Sequence, residues 1–450
     1  MKHATPTAAP AETLAMVHPN AAGLDIGRDE IWVSVPADRA AQPVRRFGTF
    51  TPDLEALADW LQACQIDTVA MESTGIYWIP VYDLLEARGF QVYLVNARHL
   101  KNVPGRKSDV QDCQWLQRLH SYGLLTASFR PEAELCALRA YLRHRRMLLE
   151  YRAAHIQHLQ KALQQMNVQL TQVLSDITGD TGLQIIRAIV AGERDPVILA
   201  QFRDPRCKHS TDEIAKALTG HYQPEHVFAL TQALALYDFY TAQLQVCDAE
   251  IERHYHTCPP ARDDLPPLPP SAKTNTHSKN APAFDVRAEL YRLTGVDLTA
   301  IDGLNAVTVQ EILAEIGTNM TKWPTDKHFC SWLHVAPHND ISGGKVLRSH
   351  VLPGQTRAAL AFRLAAQAVG KTDTALGVFY RRLRARLGPQ RAIVATAHKL
   401  ARIVYHLLKH HEAYQPVSPD SYDQALRQRE LANLKRRAKQ LGFTVTPQPT

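Results

Sequence analysis

The stretch AAGLDIGRDEIWVSVP, residues 21–36, places an acidic residue inside an apolar run and follows it with an alternating run. Residues 21–27 are a short apolar segment that ends at a glycine. Residues 30–36 alternate between apolar and polar side chains, which is the periodicity of a half-buried strand. Residues 27–29 (GRD) are a turn sequence, so two adjacent strands joined by a tight turn are predicted. Asp25 lies in the first strand, where a carboxylate costs free energy unless it is paired.

The chain continues as alternating strands and helices as far as residue 122. Three further runs predict strands: VRRFGTF (44–50), DTVAMES (67–73) and QVYLVN (91–96). Helices are predicted to open at Thr51-Pro52-Asp53, to run from Ile76 to Arg88, and to follow Ser108 as an N-cap. The order of three strands, helix, strand, helix, strand and helix predicts an α/β domain.

Composition divides the rest of the chain into segments. We expect a disordered tail over 1–20, the α/β domain over 21–130, a helical region over 131–257, a Pro-rich linker over 258–284, a mainly helical domain of short helices over 285–412 and a charged tail over 413–450. Neither a signal peptide nor the roughly 18 apolar residues of a membrane span is found. The seven cysteines are scattered, without a Cys-x-x-Cys pair, which indicates a cytoplasmic protein.

The helical region carries an apolar stripe, which we define by its positions 149, 156, 159, 163, 166 and 170. From residue 156 the spacing alternates between three and four, which is typical of a coiled coil and would support a dimer. The same spacing also fits a helix that packs against its own domain.

Positive charge is concentrated in three places. The net charge is +7, with four Lys or Arg and no acid in residues 97–108, six against one acid in 138–161, and 13 against one acid in 343–411. Such clusters bind polyanions through counterion release, although solvated helix faces are the alternative. The candidate nucleic-acid contacts in the first two clusters are Arg98, Lys101, Arg106, Lys107, Arg145 and Arg146.

Four acids form a candidate metal site. Asp25 lies in the first strand, Glu72 ends the fourth, and Asp109 and Asp112 lie three apart at the start of the next helix, so both project to one face. If the first and fourth strands are neighbours, the first two acids lie side by side. Magnesium prefers hard oxygen ligands, and two such ions clamp the attacking and leaving oxygens of a phosphoryl displacement. The set therefore predicts the binding of two Mg²⁺ ions, with Mn²⁺ as the alternative ion.

The motifs around these acids resemble a known family. GLDIG (23–27), MESTG (71–75) and KSDVQD (107–112) are similar to the DEDD motif of the Piv/MooV-type transposases and DNA invertases of bacterial insertion sequences. The resemblance covers about residues 20–160. It implies a RuvC-like, RNase H-fold N-terminal domain, with catalytic metal ions held by Asp25, Glu72, Asp109 and Asp112.

The C-terminal half resembles the second domain of the same family. IDGL (301–304) is similar to the opening of a helix-hairpin-helix element, and SGGK (342–345) matches the place of the serine that the family is thought to use as nucleophile. The resemblance implies that Ser342 attacks DNA, with Lys345 and Arg348 beside it as nucleic-acid contacts. Asn305 replaces a usual second glycine, and we expect its tolerance of a left-handed backbone to preserve the turn. Residues 171–283 form a longer region than is expected for the family. Residues 347–356 are less basic than is typical of it.

The resemblance also implies the partners. Family members are thought to use an RNA from the element's own end to choose donor and target DNA, with base pairing reading the sequence while the protein holds backbone and shape. We therefore expect donor and target DNA, a guide RNA, a homodimer or homotetramer, and a place in the cytoplasm on the nucleoid.

Three other functions remain open from the sequence. A Holliday-junction-type nuclease shares the four carboxylates and cuts with water, without a serine. A sugar-kinase or actin-like ATPase also begins with LDIG (24–27), but it needs a second Asp-x-Gly half, which is not found. A non-catalytic RNA-binding coiled-coil protein would have lost some of the four acids, whereas all are present.

Overall fold

The computed structural model describes residues 15–73, 75–96, 108–271, 279–351 and 356–446. It divides into two units, Met1–Arg130 and Pro131–Thr450. In the described part of the chain, no helix is both long and apolar enough to span a bilayer.

A five-stranded sheet forms the centre of the first unit. Its strands are β1 (Ala21–Ile26), β2 (Ile31–Ser34), β3 (Val44–Phe47), β4 (Thr68–Glu72) and β5 (Gln91–Val95), in the order β3-β2-β1-β4-β5. β1, β2 and β3 pair antiparallel, whereas β1 with β4 and β4 with β5 pair parallel. Each strand lies within the run that predicted it, and the mixed α/β architecture is confirmed.

Among the described residues of this unit, three helices accompany the sheet: α1 (Thr51–Ala63), α2 (Trp78–Ala87) and α3 (Asp109–Ser121). α1 buries Leu54, Leu57 and Leu61, spaced at three and four residues, against the core of the sheet. α3 buries Leu116 in a second cluster with Ala70 of β4 and Val95 of β5. The buried faces of α1 and α3 therefore fix both helices on the sheet.

The second unit begins as a helical assembly. Its helices are α4 (Ala133–Gln165), α5 (Leu170–Val173), α6 (Asp180–Val190), α7 (Pro196–Ala200), α8 (Thr211–Leu218) and α9 (Pro224–Thr257). α4 and α9 run antiparallel, because Glu134 contacts His254, Tyr141 contacts Glu250 and Arg145 contacts Asp248.

The apolar stripe is buried inside this unit. Leu159, Leu163, Met166 and Leu170 are almost fully buried in one cluster with side chains of α6 to α9. The alternative of a helix packed against its own domain therefore describes this part of the stripe. The stripe from Leu159 onward is not a free surface for a second copy.

The Pro-rich segment is held to the helix that follows it. Tyr291 Oη donates to the Pro266 carbonyl at 3.0 Å, and Arg287 Nη2 donates to the Pro269 carbonyl at 2.6 Å. Both donors lie in α10 (Val286–Thr294).

The remaining elements build the C-terminal part. The helices are α11 (Ala306–Ile316), α12 (Asp326–Trp332), α13 (Arg357–Val369), α14 (Ala375–Leu387), α15 (Pro389–His410) and α16 (Pro419–Gln440). A two-stranded sheet of β6 (Pro337–Ser342) and β7 (Lys345–Val351) lies between α12 and α13. This hairpin was not predicted within the mainly helical domain: Gly343 and Gly344 at φ 54° and 75° form a two-residue turn, which selects a hairpin.

The expected left-handed backbone at Asn305 was also wrong. Asn305 has φ −109° and caps α11, with its side chain accepting from the Thr308 amide at 2.8 Å. The tight turn before it depends on Gly303 instead, which has φ 82°.

Candidate active site

Asp25 and Glu72 lie near the carboxyl ends of two neighbouring parallel strands. β1 and β4 pair with Leu24 opposite Met71, so the next residue of each strand lies at the same edge of the sheet. Both side chains are half-buried. The first and fourth strands are neighbours, which is the condition under which Asp25 and Glu72 are predicted to lie side by side.

The helix α3 supplies the other two carboxylates. Ser108 caps it as predicted, since its hydroxyl accepts from the Gln111 amide at 3.4 Å. Asp109 and Asp112 occupy the first turn, where the helix dipole favours negative charge.

A glycine in β1 lets α3 approach the sheet. A Cβ atom built on Gly23 would lie 2.3 Å from the Cys113 carbonyl oxygen and 2.3 Å from the Gln117 nitrogen. Real Cβ atoms do not come this close to backbone, so only glycine allows the contact. The contact sets how near Asp109 and Asp112 come to Asp25.

The electrostatics of Asp25 show that the four acids share one neighbourhood. The pKa of Asp25 is raised from 3.8 to about 6, first by burial and then by the negative charges of Asp109, Asp112 and Glu72. A hydrogen bond from the Ile26 backbone lowers it in part. Mutual repulsion of this kind is what a bound cation relieves.

Cys113 follows Asp112 in α3 and lies close enough to Asp25 to sense its charge. It is fully buried, and burial, followed by the charge of Asp25, raises the pKa of its thiol to about 12.

The donor set fits a hard divalent cation. The four side chains offer carboxylate oxygens alone, the ligands that Mg²⁺ and Mn²⁺ prefer. In the part of the chain that the structure describes, no three His, Cys, Asp or Glu side chains are already gathered around one ion-sized position.

Ser342 lies in the second unit, at the last position of β6. It pairs with Lys345 across the turn formed by Gly343 and Gly344. All four residues are exposed. Since neither glycine has a side chain, a large group such as a phosphate meets little steric obstruction near the Ser342 hydroxyl.

Two cations accompany Ser342 on the hairpin. Lys345 and Arg348 are exposed, and neither forms an ion pair with any residue that the structure describes. Uncompensated cations on a surface are where phosphate binds.

Two segments of the chain match family models of known proteins. Residues 22–168 match the family model of the DEDD transposases of the IS110 type, and residues 297–381 match that of the IS116/IS110/IS902 family of transposases. This chain belongs to the IS110 family of DEDD transposases. It is a DNA transposase and acts on DNA as a recombinase. No curated protein matches the chain.

The residues of both candidate sites fall within the matched segments. The first match contains the four carboxylates, and the second contains Ser342, Lys345 and Arg348. DEDD transposases and RuvC-like nucleases generally use divalent metal ions, as the donor set requires. Residues 169–296 and 382–450 lie outside both matches.

One predicted nucleic-acid contact of this transposase has a different partner. Arg145 is 6% exposed and forms a bidentate ion pair with Asp248, and its Nη2 also donates to the Asn280 carbonyl at 3.1 Å. The structure therefore contradicts the prediction for Arg145. A buried cation needs an anion inside the fold, and Asp248 supplies it.

Three other arginines of α4 form some of their contacts with α11. Arg139 Nε donates to the Ala314 carbonyl at 3.0 Å, and Arg143 pairs with Glu315 at 3.0 Å. Arg146 lies 3.5 Å from Glu150 and 3.9 Å from Glu311, and is half-exposed. Cations near the C-terminus of α11 stabilise its dipole, so this cluster has a structural role in addition to any DNA contact.

The first basic cluster cannot be placed. Arg98, Lys101, Arg106 and Lys107 lie outside the described residues. Sequence reasoning missed Gly23 as a positioning residue. The signal was present, since a glycine two residues before Asp25 in a buried strand indicates a close backbone approach.

Proposed function

We propose that this transposase cleaves and rejoins DNA with the Ser342 hydroxyl as nucleophile and with divalent ions held by Asp25, Glu72, Asp109 and Asp112. The main support for the metal site is the raised pKa of Asp25, because three further carboxylates cause part of it. The position of Ser342 beside a two-glycine turn and two uncompensated cations supports its role.

The chemistry conserves the number of phosphodiester bonds. The Ser342 Oγ forms a bond to phosphorus as one P–O bond of the DNA backbone breaks, and the released DNA oxygen takes a proton. An acceptor DNA hydroxyl then attacks the phosphoserine and regenerates the serine. Lys345 and Arg348 hold the negatively charged phosphate during both steps.

The four carboxylates hold the ions, which we propose are two Mg²⁺, with Mn²⁺ able to replace them. Bound ions of this kind stabilise the charge that develops on the phosphate oxygens. The carboxylates also keep the site from closing without ions, because their repulsion is unrelieved.

The proposed partners are donor and target DNA, a guide RNA from the element, and further copies of the chain in a dimer or tetramer. The exposed cations of 343–411 support contact with nucleic-acid backbone. In such a division of labour, base pairing provides the sequence specificity.

A second candidate is a nuclease that uses water. It is favoured by one observation: all four carboxylates belong to the first unit, and Ser342 to the second. Such an enzyme would cut without forming a protein–DNA bond.

A strand-transfer assay distinguishes the two. End-labelled DNA, Mg²⁺ and any co-purifying RNA are incubated with wild type or with Ser342→Ala. Ser349→Ala, a serine of β7 in the same hairpin, is the matched control. A denaturation-resistant adduct in wild type and in Ser349→Ala, but not in Ser342→Ala, supports the serine mechanism. Equal cleavage by all three without an adduct supports the water nuclease.

A further inference from the structure

The β6–β7 hairpin has two chemically different faces. In an antiparallel pair, opposite residues share a face, and successive pairs alternate between faces. Ser342 with Lys345, and Asp340 with Arg348, therefore lie on one face. Ile341 with Val346 lies on the other face.

A bulge creates this division. The register shifts between Asp340 and Ile341, so that Arg348 is opposite Asp340 and Val346 is opposite Ile341. Leu347 is the additional residue and has no opposite partner in the ladder. In a regular ladder Leu347 would be opposite Asp340 and Arg348 would be opposite Asn339 on the other face, so the bulge places Arg348 on the face of Ser342.

The second face ends in an exposed aliphatic tip, which consists of Ile341, Val346 and Leu347. These side chains are 64%, 56% and 71% exposed. A two-stranded hairpin is marginally stable in water, and three adjoining exposed aliphatic residues at its end are unfavourable there. The aliphatic tip is therefore expected to be shielded from water when the protein carries out its reaction.

The charged residues around the aliphatic tip indicate which kind of partner covers it. Asp340 is the acid nearest in sequence to the turn, and it lies between His338 and His350, 3.7 Å from each. Among the described residues, Asp340 forms no ion pair with Arg348, so it does not neutralise the positive charges of Lys345 and Arg348. A second copy of the tip would bring like charges together, whereas DNA brings phosphates.

We propose that the hairpin enters a DNA groove and packs the aliphatic tip against the bases beside the phosphate that Ser342 attacks. A two-stranded ribbon fits the major groove, and aliphatic side chains inserted at a base step unstack it. The polar face then lies toward the DNA backbone. The contact of the aliphatic tip with the bases sets how deeply the Ser342 side chain enters the groove. This inference rests on the proposed function, and it adds a base contact to a reaction otherwise described by phosphate contacts.

The test measures base unstacking without cleavage. The full-length Ser342→Ala protein, with its co-purifying RNA, is bound to a duplex of the element's end carrying 2-aminopurine at each step around the cleavage position. Fluorescence is expected to rise at one step. The variant that also has Ile341→Thr, Val346→Thr and Leu347→Thr carries β-branched threonine side chains, which favour strands, and is expected to lose the rise and to bind roughly tenfold more weakly.

Two controls make the result specific. Leu360→Gln with Leu364→Gln changes two aliphatic residues of α13 that are 43% and 52% exposed, and should leave the rise intact. Lys345→Ala with Arg348→Ala should lower the salt slope of binding by about two, whereas the threonine variant should keep it.

Two results would overturn the inference. An unchanged rise in the threonine variant shows that the tip does not touch bases. A smaller oligomer for that variant in light scattering shows that the tip binds a second copy. Failure of the serine mechanism is seen separately, as cleavage by Ser342→Ala in Mg²⁺ without an adduct from wild type.

Discussion

Gly23 of β1 lies against the Gln117 backbone of α3, so closely that a Cβ at residue 23 would be 2.3 Å from the Gln117 nitrogen. β1 carries Asp25, and α3 carries Asp109 and Asp112. The spacing of these carboxylates therefore depends on residue 23 having no side chain.

Gly23→Ala should separate the carboxylates. We expect α3 to move away from β1, the free energy of unfolding to fall by about 1–3 kcal/mol, and metal-dependent cleavage to fall roughly a hundredfold. Urea denaturation and the cleavage assay measure the two effects. Gly179→Ala is the control, because its Cβ would come no nearer than 3.3 Å to any atom. Full cleavage by Gly23→Ala would show that the contact does not position the site.

Asp25 should make the metal-free protein less stable as the pH rises. Its folded pKa of about 6 lies above the usual 3.8, so the folded state binds the proton more tightly. This contribution to stability is present at low pH and is lost between about pH 4 and pH 6. Unfolding in EDTA at several pH values measures it. Asp25→Asn should remove this component, and an unchanged profile would contradict the assignment.

Mg²⁺ should stabilise the folded protein through the carboxylates. A ligand that binds only the folded state raises the melting temperature by mass action. We expect this rise for wild type and its loss for Asp109→Asn, with both proteins folded. Asp29→Asn, which changes an exposed acid of the same unit, should keep the rise. An equal rise in all three would mean that the ion binds elsewhere.

His120 should produce the opposite pH dependence. Burial first, and then His18, lowers its pKa from 6.5 to about 4, and its Nε2 lies 2.8 Å from the Thr68 hydroxyl oxygen. The neutral ring is therefore favoured in the folded state. Stability is complete above pH 6.5 and is lost as the pH falls toward 4. His120→Gln should flatten that slope in urea titrations. Because Asp25 acts in the opposite direction over the same range, each variant is compared separately with wild type.

Arg145→Met should damage folding rather than DNA binding. It leaves Asp248 buried without its cation, and we expect a loss of about 3–5 kcal/mol in the free energy of unfolding. Adding Asp248→Leu should recover most of this loss. The salt slope of DNA binding should not change, and a decrease would restore Arg145 as a phosphate contact. Arg146→Met, at a half-exposed position, should have a small effect on stability.

The strands and helices of the first unit could be predicted because the sequence patterns that indicate them are local. The apolar runs gave the strands, and Ser108 gave the start of α3. The neighbouring positions of β1 and β4 agreed with the topology that the acids required. The close contact at Gly23 was not predicted, since it depends on a helix almost 100 residues later in the chain.

The second unit was harder for physical reasons. PHNDIS and KVLRSHV lack the regular alternation that marks a half-buried strand, because both are exposed. The Gly343-Gly344 pair was the available hairpin signal. Arg145 was misinterpreted because a basic cluster does not show which members face inward, and Asp248 is more than 100 residues away.

The pairing of α4 with α9 has a geometric consequence. A helix of 33 residues is roughly 50 Å long, which corresponds to about 15 base pairs of duplex. One end of α4 holds the α11 carboxyl terminus through Arg139, and the other ends in the helical cluster around Leu163. The antiparallel pair therefore holds these two regions roughly 50 Å apart, a distance that equals about one and a half turns of duplex.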